Sequence, residues 1–171
     1  MPSISLFPHI KETVYSTETT IESFLEDIRT GKWQDLVLPI RAMDDDKRKE
    51  AKKSVPYVTL SGVFTERTDN ALQAHSGYIG IDIDSVNAET TKEILKSDSF
   101  VFACFTSISG RGVCALFKIT PNKHREAFSG ISEYLFTTYK MIVDPTCINQ
   151  SRARFVSYDP YIYINTNSQR F

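Results

Sequence analysis

The apolar positions of this chain follow two rhythms. Ile21, Phe24, Leu25 and Ile28 recur at helical spacing, Thr19-Thr20-Ile21-Glu22 has capping-box spacing before them, and Gly31 suits the position after a last turn. This predicts a helix from about Thr20 to Thr30. His124, Phe128, Ile131 and Leu135 recur the same way behind Thr120-Pro121 and predict a helix to about Tyr139. Asn87 suits the N-cap of another helix over Ala88 to Lys96. Asp44-Asp45-Asp46 ahead of Lys47, Arg48, Lys49, Lys52 and Lys53 places acid and base as a helix macrodipole favours. Elsewhere the apolar residues come in short β-branched and aromatic runs: Ser3–Phe7, Pro56–Phe64, Tyr78–Asp84, Ser99–Thr106, Val113–Ile119, Arg154–Ser157 and Tyr161–Ile164. These predict strands, and Leu36–Ile40 a strand or turn. Ser107–Gly112 lies between two runs as a hairpin turn, and Thr68–Ala74 is a polar connection.

From Asp82 onward the predicted order is β-α-β-β-α-β, the split unit of ferredoxin-like and RNA-recognition-motif folds. The expected fold class is therefore α+β, one domain with a core over 56–165 and an N-terminal α/β extension over 1–55. Helices would cover one face of the sheet and leave the other open for ligand. Composition, with 41% hydrophobic and 24% charged residues, is that of an ordinary globular domain. A net charge of −1 gives no global basic field, so a nucleic-acid partner would need a local patch. The lysines from Lys47 to Lys53 are either that patch or a solvated helical face. No apolar run approaches the ~20 residues of a membrane span, and the N-terminus lacks the pattern of a signal peptide. The expected location is the cytoplasm, with no membrane partner. Cys104, Cys114 and Cys147 read as reduced thiols, and His9, His75 and His124 are too scattered for a zinc site.

The chemistry concentrates in three stretches. Asp82 and Asp84 end a β-branched run two residues apart, so a strand points both carboxylates to one face. Such a pair repels unless a cation lies between, and a hard divalent ion with oxygen ligands suits it. The alternative is a strand ending in a solvated turn. In Ser107-Ile108-Ser109-Gly110-Arg111-Gly112, small hydroxyls and glycines would expose backbone N–H groups to phosphate, with Arg111 as a charged donor. The alternative is a plain hairpin turn. Asp144 also ends an apolar run, and Arg152 and Arg154 alternate as strand residues do, a fork pair suited to phosphates or to surface salt bridges. Three carboxylates, a Gly-Ser turn and paired arginines suit two-metal nucleotidyl transfer.

Taken in order, Pro56-x-x-Thr59-x-Ser61-Gly62-x-Phe64, Ser76-Gly77-Tyr78-Ile79-Gly80-Ile81-Asp82-Ile83-Asp84, Ser107–Gly112, Val143-Asp144 and Ser151-Arg152-x-Arg154-Phe155-x-Ser157-x-Asp159 resemble a known family. The chain looks like the archaeo-eukaryotic primase superfamily, with its primase–polymerase palm, and more closely like the BT4734-like or VirE N-terminal domain. The resemblance covers about Val55 to Asn165. It implies that Asp82, Asp84 and Asp144 are catalytic and hold Mg²⁺ or Mn²⁺ in a two-metal site. It implies that Ser107, Ser109, Gly110, Arg111, Gly112, Arg152 and Arg154 bind nucleotide phosphates. Active relatives carry Ser-x-His on the strand where this chain has Val113-Cys114-Ala115, so Arg111 or Arg154 would supply that donor. The implied partners are a nucleoside triphosphate, a single-stranded DNA or RNA template and a C-terminal helicase-like or VirE-type region of a longer protein. Asn165–Phe171 reads as an edge cut from such a chain. The function implied is primer synthesis or extension for a mobile element. The alternatives are a non-catalytic module that binds nucleotide or single-stranded nucleic acid, and a different two-metal phosphoryl-transfer enzyme.

Overall fold

The computed structural model describes residues 2–84 and 86–171. The strands are β1 (Ser3–Phe7), β2 (Thr17–Thr20), β3 (Tyr57–Thr59), β4 (Gly62–Phe64), β5 (Leu72–His75), β6 (Tyr78–Asp84), β7 (Val101–Thr106), β8 (Gly112–Lys118), β9 (Arg154–Phe155) and β10 (Tyr163–Ile164). The helices are α1 (Ile21–Thr30), α2 (Gln34–Ala42), α3 (Asp45–Ala51), α4 (Ala88–Leu95) and α5 (His124–Tyr139). The fold is α+β, as the patterning predicts.

The central sheet has the order β10-β7-β8-β6, with every pairing antiparallel. β8 lies between β6 and β7, and α4 connects those outer two, which is the expected split unit. The closing strand departs from expectation. β9 leaves this sheet and pairs with β3, in a second sheet of order β2-β1-β3-β9. β10 joins the β7 edge instead of the β6 edge. The β6 edge is taken by the segment around Asp144, whose N–H donates to the Asp82 carbonyl at 2.9 Å.

Alternation along β6 divides the core. Ile79, Ile81 and Ile83 point to the helical side and pack with Val113, Ala115, Phe117, Leu95, Phe128, Ile131 and Leu135. The helices form where their stripes predict: the buried residues of α5 include Phe128, Ile131 and Leu135. Thr20, one residue after the expected cap, accepts from the Ser23 N–H and starts α1, and Gly31 closes it at φ 85°. Asn87 caps α4 as expected, and Asp44, the first of the acidic run, caps α3.

The opposite face is not open. Phe102, Phe105, Cys114 and Leu116 are buried there against Phe24, Leu25 and Ile28 of α1, Val37 and Ile40 of α2, and Val58 and Leu60. Leu36–Ile40 is thus helix, not strand or turn. Trp33, Val37 and Ile40 make its buried stripe, and Pro39 sits on the exposed side. The run Pro56–Phe64 is two strands broken at Leu60-Ser61, and β5, unforeseen, pairs with the second of them. Ser157 and Asp159 are structural. Ser157 Oγ donates to the Thr106 carbonyl, and Asp159 accepts from the Thr106 N–H and pairs with buried Lys92 at 2.7 Å. The last residues are also packed: Phe171 lies against Phe100, Phe117 and Tyr134.

Candidate functional site

Where the second face escapes its cover, a cleft of about 790 Å³ opens. Nearby on β6, Gly80 packs against Leu60. A Cβ there would stand 2.6 Å from Leu60 Cδ1, so only glycine lets Leu60 lie against β6 at this point. Two residues on, the same side of β6 presents Asp82, buried, and then Asp84, exposed, and both line the cleft.

Asp82 sits among partners. The Arg154 guanidinium pairs with its Oδ1, while Arg152 Nη2 lies 3.6 Å from Oδ2 and the Cys147 thiol 3.8 Å from the same oxygen. Arg152 Nη2 also pairs with Asp144 Oδ2 at 2.7 Å, so one guanidinium bridges the two carboxylates. Asp144 comes from a loop. Its Oδ1 accepts from the Thr146 N–H and hydroxyl at 2.8 and 2.7 Å, capping a short 3₁₀ turn. Burial alone would raise its pKa; the Thr146 hydrogen bonds and the Arg152 charge outweigh this and hold it below the ordinary value. Burial pushes Arg154 down to about 10 and the Cys147 thiol up to about 12. Cys147 is therefore a neutral thiol.

Asp82, Asp144 and Cys147 form a group whose ligand atoms all lie within 4.8 Å of one another, close enough to hold a metal ion. Asp84 lies outside that group but on the same cleft. The fit is to a hard cation held by carboxylate oxygens, since a protonated thiol adds little to a Mg²⁺ or Mn²⁺ site. Arg152 stands between the two carboxylates and would have to swing outward, which its partly exposed side chain allows.

The turn differs from expectation. Ser107 and Ser109 line the cleft, but the Ser107 and Gly110 amides bond the turn's own carbonyls, and the Arg111 amide donates to Ser109 Oγ. These N–H groups are not free for an anion. Gly110, at φ 73°, packs on Arg41, whose Nη2 donates to the Ser107 carbonyl. Arg111 points away from the aspartates to pair with Asp45 at 2.6 Å. Gly112 is a β8 residue opposite Asp84. Cys114 is the register partner of Asp82, fully buried, with its thiol pKa raised well above normal by burial. Cys114 thus offers no charged donor beside Asp82.

Further cations complete the lining. Lys49, Lys52, Lys53 and Arg67 join Arg152 and Arg154, beside Ile10, Phe105 and Phe155. The lysine run after Asp46 was legible in sequence as a patch or a solvated face, and it divides. Arg48 is buried against the Ile40, Arg41 and Met43 carbonyls and Asp45, whereas Lys49, Lys52 and Lys53 reach the cleft. Arg67 gave no signal.

Residues 50–164, more than half of the chain, match the family described as BT4734-like, N-terminal domain. The chain belongs to that family. No curated protein and no solved structure matches it. The matched span of this BT4734-like domain holds every residue of the carboxylate group and every cation of the cleft except Lys49. Among the described residues no helix is long and apolar enough to cross a membrane.

Proposed function

We propose that the cleft binds a nucleoside triphosphate together with Mg²⁺ or Mn²⁺, as a primase–polymerase-like domain serving replication of a mobile element. One observation carries the reading: a backbone hydrogen bond sets Asp144 beside Asp82, and Asp82 and Asp84 line a cleft that Lys49, Lys52, Lys53, Arg67, Arg152 and Arg154 also line. Carboxylates collected inside a basic cleft suit a ligand of negative charge that arrives with a cation.

In this reading Asp82 and Asp144 hold the cation through oxygen, with Asp84 adjoining. When bound, the cation neutralises phosphate charge and lowers the pKa of an attacking hydroxyl. Arg154 fixes the orientation of Asp82 from within the core. Arg152, released from its bridge, turns to the phosphates, where a planar fork pairs well with two oxygens. Ser107 and Ser109 offer hydroxyls at the same cleft. A template strand and a helicase-like or VirE-type neighbour are the partners this role requires.

The second reading is a module that binds nucleotide or single-stranded nucleic acid without catalysis. Buried, neutral Cys114 beside Asp82 favours it, because losing one donor aimed at transition-state charge costs on the order of 10²–10³ in rate.

Calorimetric titration of nucleoside triphosphate with Mn²⁺, beside a primer-extension assay, tests both. Asp144→Asn and Asp84→Asn are the informative variants, since Asp82 variants would strand a buried Arg154 charge. Mn²⁺-dependent binding weakened in Asp144→Asn is expected. Extension product lost in that variant supports the enzyme; retained binding with no product supports the module. Nucleotide affinity indifferent to Mn²⁺ and to both variants overturns the metal-dependent reading, and the absence of both nucleotide and single-strand binding overturns the module.

A further inference from the structure

We infer that Lys52 and Arg67 form a metal-independent anchor for a chain of phosphates, built on the β3–β9 pairing and separate from the carboxylate group. Tyr57 and Phe155 are cross-strand partners on β3 and β9, with ring centroids 6.4 Å apart and edges to faces. Each ring carries one cation. The Lys52 ammonium lies 5.9 Å from the Phe155 centroid, and the Arg67 guanidinium 5.4 Å from that of Tyr57. Tyr57 is itself locked, stacked on Phe7 at 4.8 Å and donating its hydroxyl to the Glu12 carbonyl. The two cations are therefore each held on one of two neighbouring, rigid aromatic rings, and both line one cleft.

Neither cation has an acidic partner. Among the described residues, Arg152 and Arg154 pair with Asp82 and Asp144, and Lys53 pairs with Glu50, whereas Lys52 and Arg67 make no salt bridge. Arg67 Nε is buried without a hydrogen-bond acceptor. Burial lowers the Lys52 pKa despite the opposing pull of Asp84, so the folded protein holds its charge at a cost. Two half-buried, preoriented, unneutralised cations fit the oxyanions of neighbouring phosphates, where each contact is charge-assisted and partly desolvated. The chemistry is shared by a nucleotide's triphosphate tail and a polynucleotide backbone.

The anchor needs no divalent cation, which separates its test from that of the carboxylates. Inorganic tripolyphosphate and, in a second arm, single-stranded oligothymidylate are titrated into the protein in the presence of a chelator. Lys52→Gln and Arg67→Gln should each weaken binding by about tenfold or more, with Lys52→Arg retaining it. Tripolyphosphate binding lost in the Gln variants identifies a triphosphate-tail site, and loss confined to oligothymidylate identifies a backbone site. The inference is overturned when the wild-type protein binds neither probe, or when both Gln variants bind as wild type does. Mn²⁺-dependent nucleotide binding persisting in that case would leave the cation-site reading standing.

Discussion

The cleft has two ends that hold the same kind of charge in opposite ways. At one end Arg152 and Arg154 are paired with Asp82 and Asp144, inside a network closed by Thr146 and Cys147. At the other, Lys52 and Arg67 rest on aromatic rings and make no salt bridge among the described residues. Internally compensated charges hold the fold around a site, and uncompensated ones await a partner from outside. The difference also separates stability from binding. Removing a member of the paired end strands a buried charge, whereas removing an unpaired cation relieves one.

The largest effect is expected at the paired end. Asp82→Ala leaves the Arg154 guanidinium buried without a counter-charge and should cost about 3–5 kcal/mol of unfolding free energy, read by denaturant titration. Replacing both partners, as in Asp82→Leu with Arg154→Met, should restore most of that loss. Lys52→Gln and Arg67→Gln should stay within about 0.5 kcal/mol of wild type while losing phosphate binding. A stability loss at Lys52 comparable to that of Asp82→Ala would erase the contrast between the two ends.

Gly80→Ala sharpens it. A methyl group 2.6 Å from Leu60 Cδ1 forces Leu60 off β6 beside the Arg154 guanidinium, whose Nη2 is 3.6 Å from the same point. Overpacking of this kind costs about 1–3 kcal/mol. The same titration checks it, and Leu60→Ala in the Gly80→Ala background should recover part of the cost if Leu60 is the obstacle.

What the sequence disclosed followed from how local each signal was. β6, α1 and α5 carry one unbroken period each, β8 an unbroken apolar run and α4 its Asn87 cap, and each formed where that signal lies. Leu36–Ile40 misled because an apolar run containing Pro39 reads as non-helical, while the helical signal, Trp33, Val37 and Ile40, begins before it. β9 and β10 are two residues long, too short for any period to tell which sheet or edge they join. Asp144 was legible as a carboxylate after an apolar run, but its loop position beside Asp82 depends on backbone pairing at the β6 edge. The Lys52–Arg67 pair was illegible. It exists only because β3 and β9, far apart in sequence, set Tyr57 against Phe155.

A smaller effect, dependent on pH, should appear behind the paired end. His75 and His124 touch, Nε2 to Nδ1 at 3.2 Å, and the Gly77 N–H donates to His75 Nδ1, so both rings are held neutral. Burial, then the neighbouring His124, lowers the His75 pKa to about 4 from 6.5. In that interval the unfolded chain binds more protons than the folded one, so stability is complete above about 6.5 and falls as pH drops toward about 4. The lowered carboxylates Asp69, Asp144 and Asp159 act elsewhere: their contribution persists above 3.8 and is lost only below it. Unfolding midpoints measured across both intervals should show the upper slope reduced in His75→Gln and the lower one unchanged.

The smallest effect is expected at Arg111, the one turn residue that the sequence offered as a charged phosphate donor. Its guanidinium is 60% exposed and pairs with Asp45, which is 63% exposed. Asp45 Oδ1 keeps a second partner in Arg48 Nη1 at 2.5 Å, so removing Arg111 strands no charge. A solvated pair of this kind is worth about 0–1 kcal/mol. The turn keeps its shape through bonds that do not involve the Arg111 side chain, the Ser107 and Gly110 amides and the Arg41 contact. Arg111→Ala should therefore leave both metal-free phosphate binding and Mn²⁺-dependent nucleotide binding within about twofold of wild type, since it is neither compensated inside the cleft nor directed into it. Calorimetry on the variant decides the matter. A tenfold loss would mean that Arg111 leaves Asp45 when ligand arrives, and the boundary of the basic end would then have to include the turn.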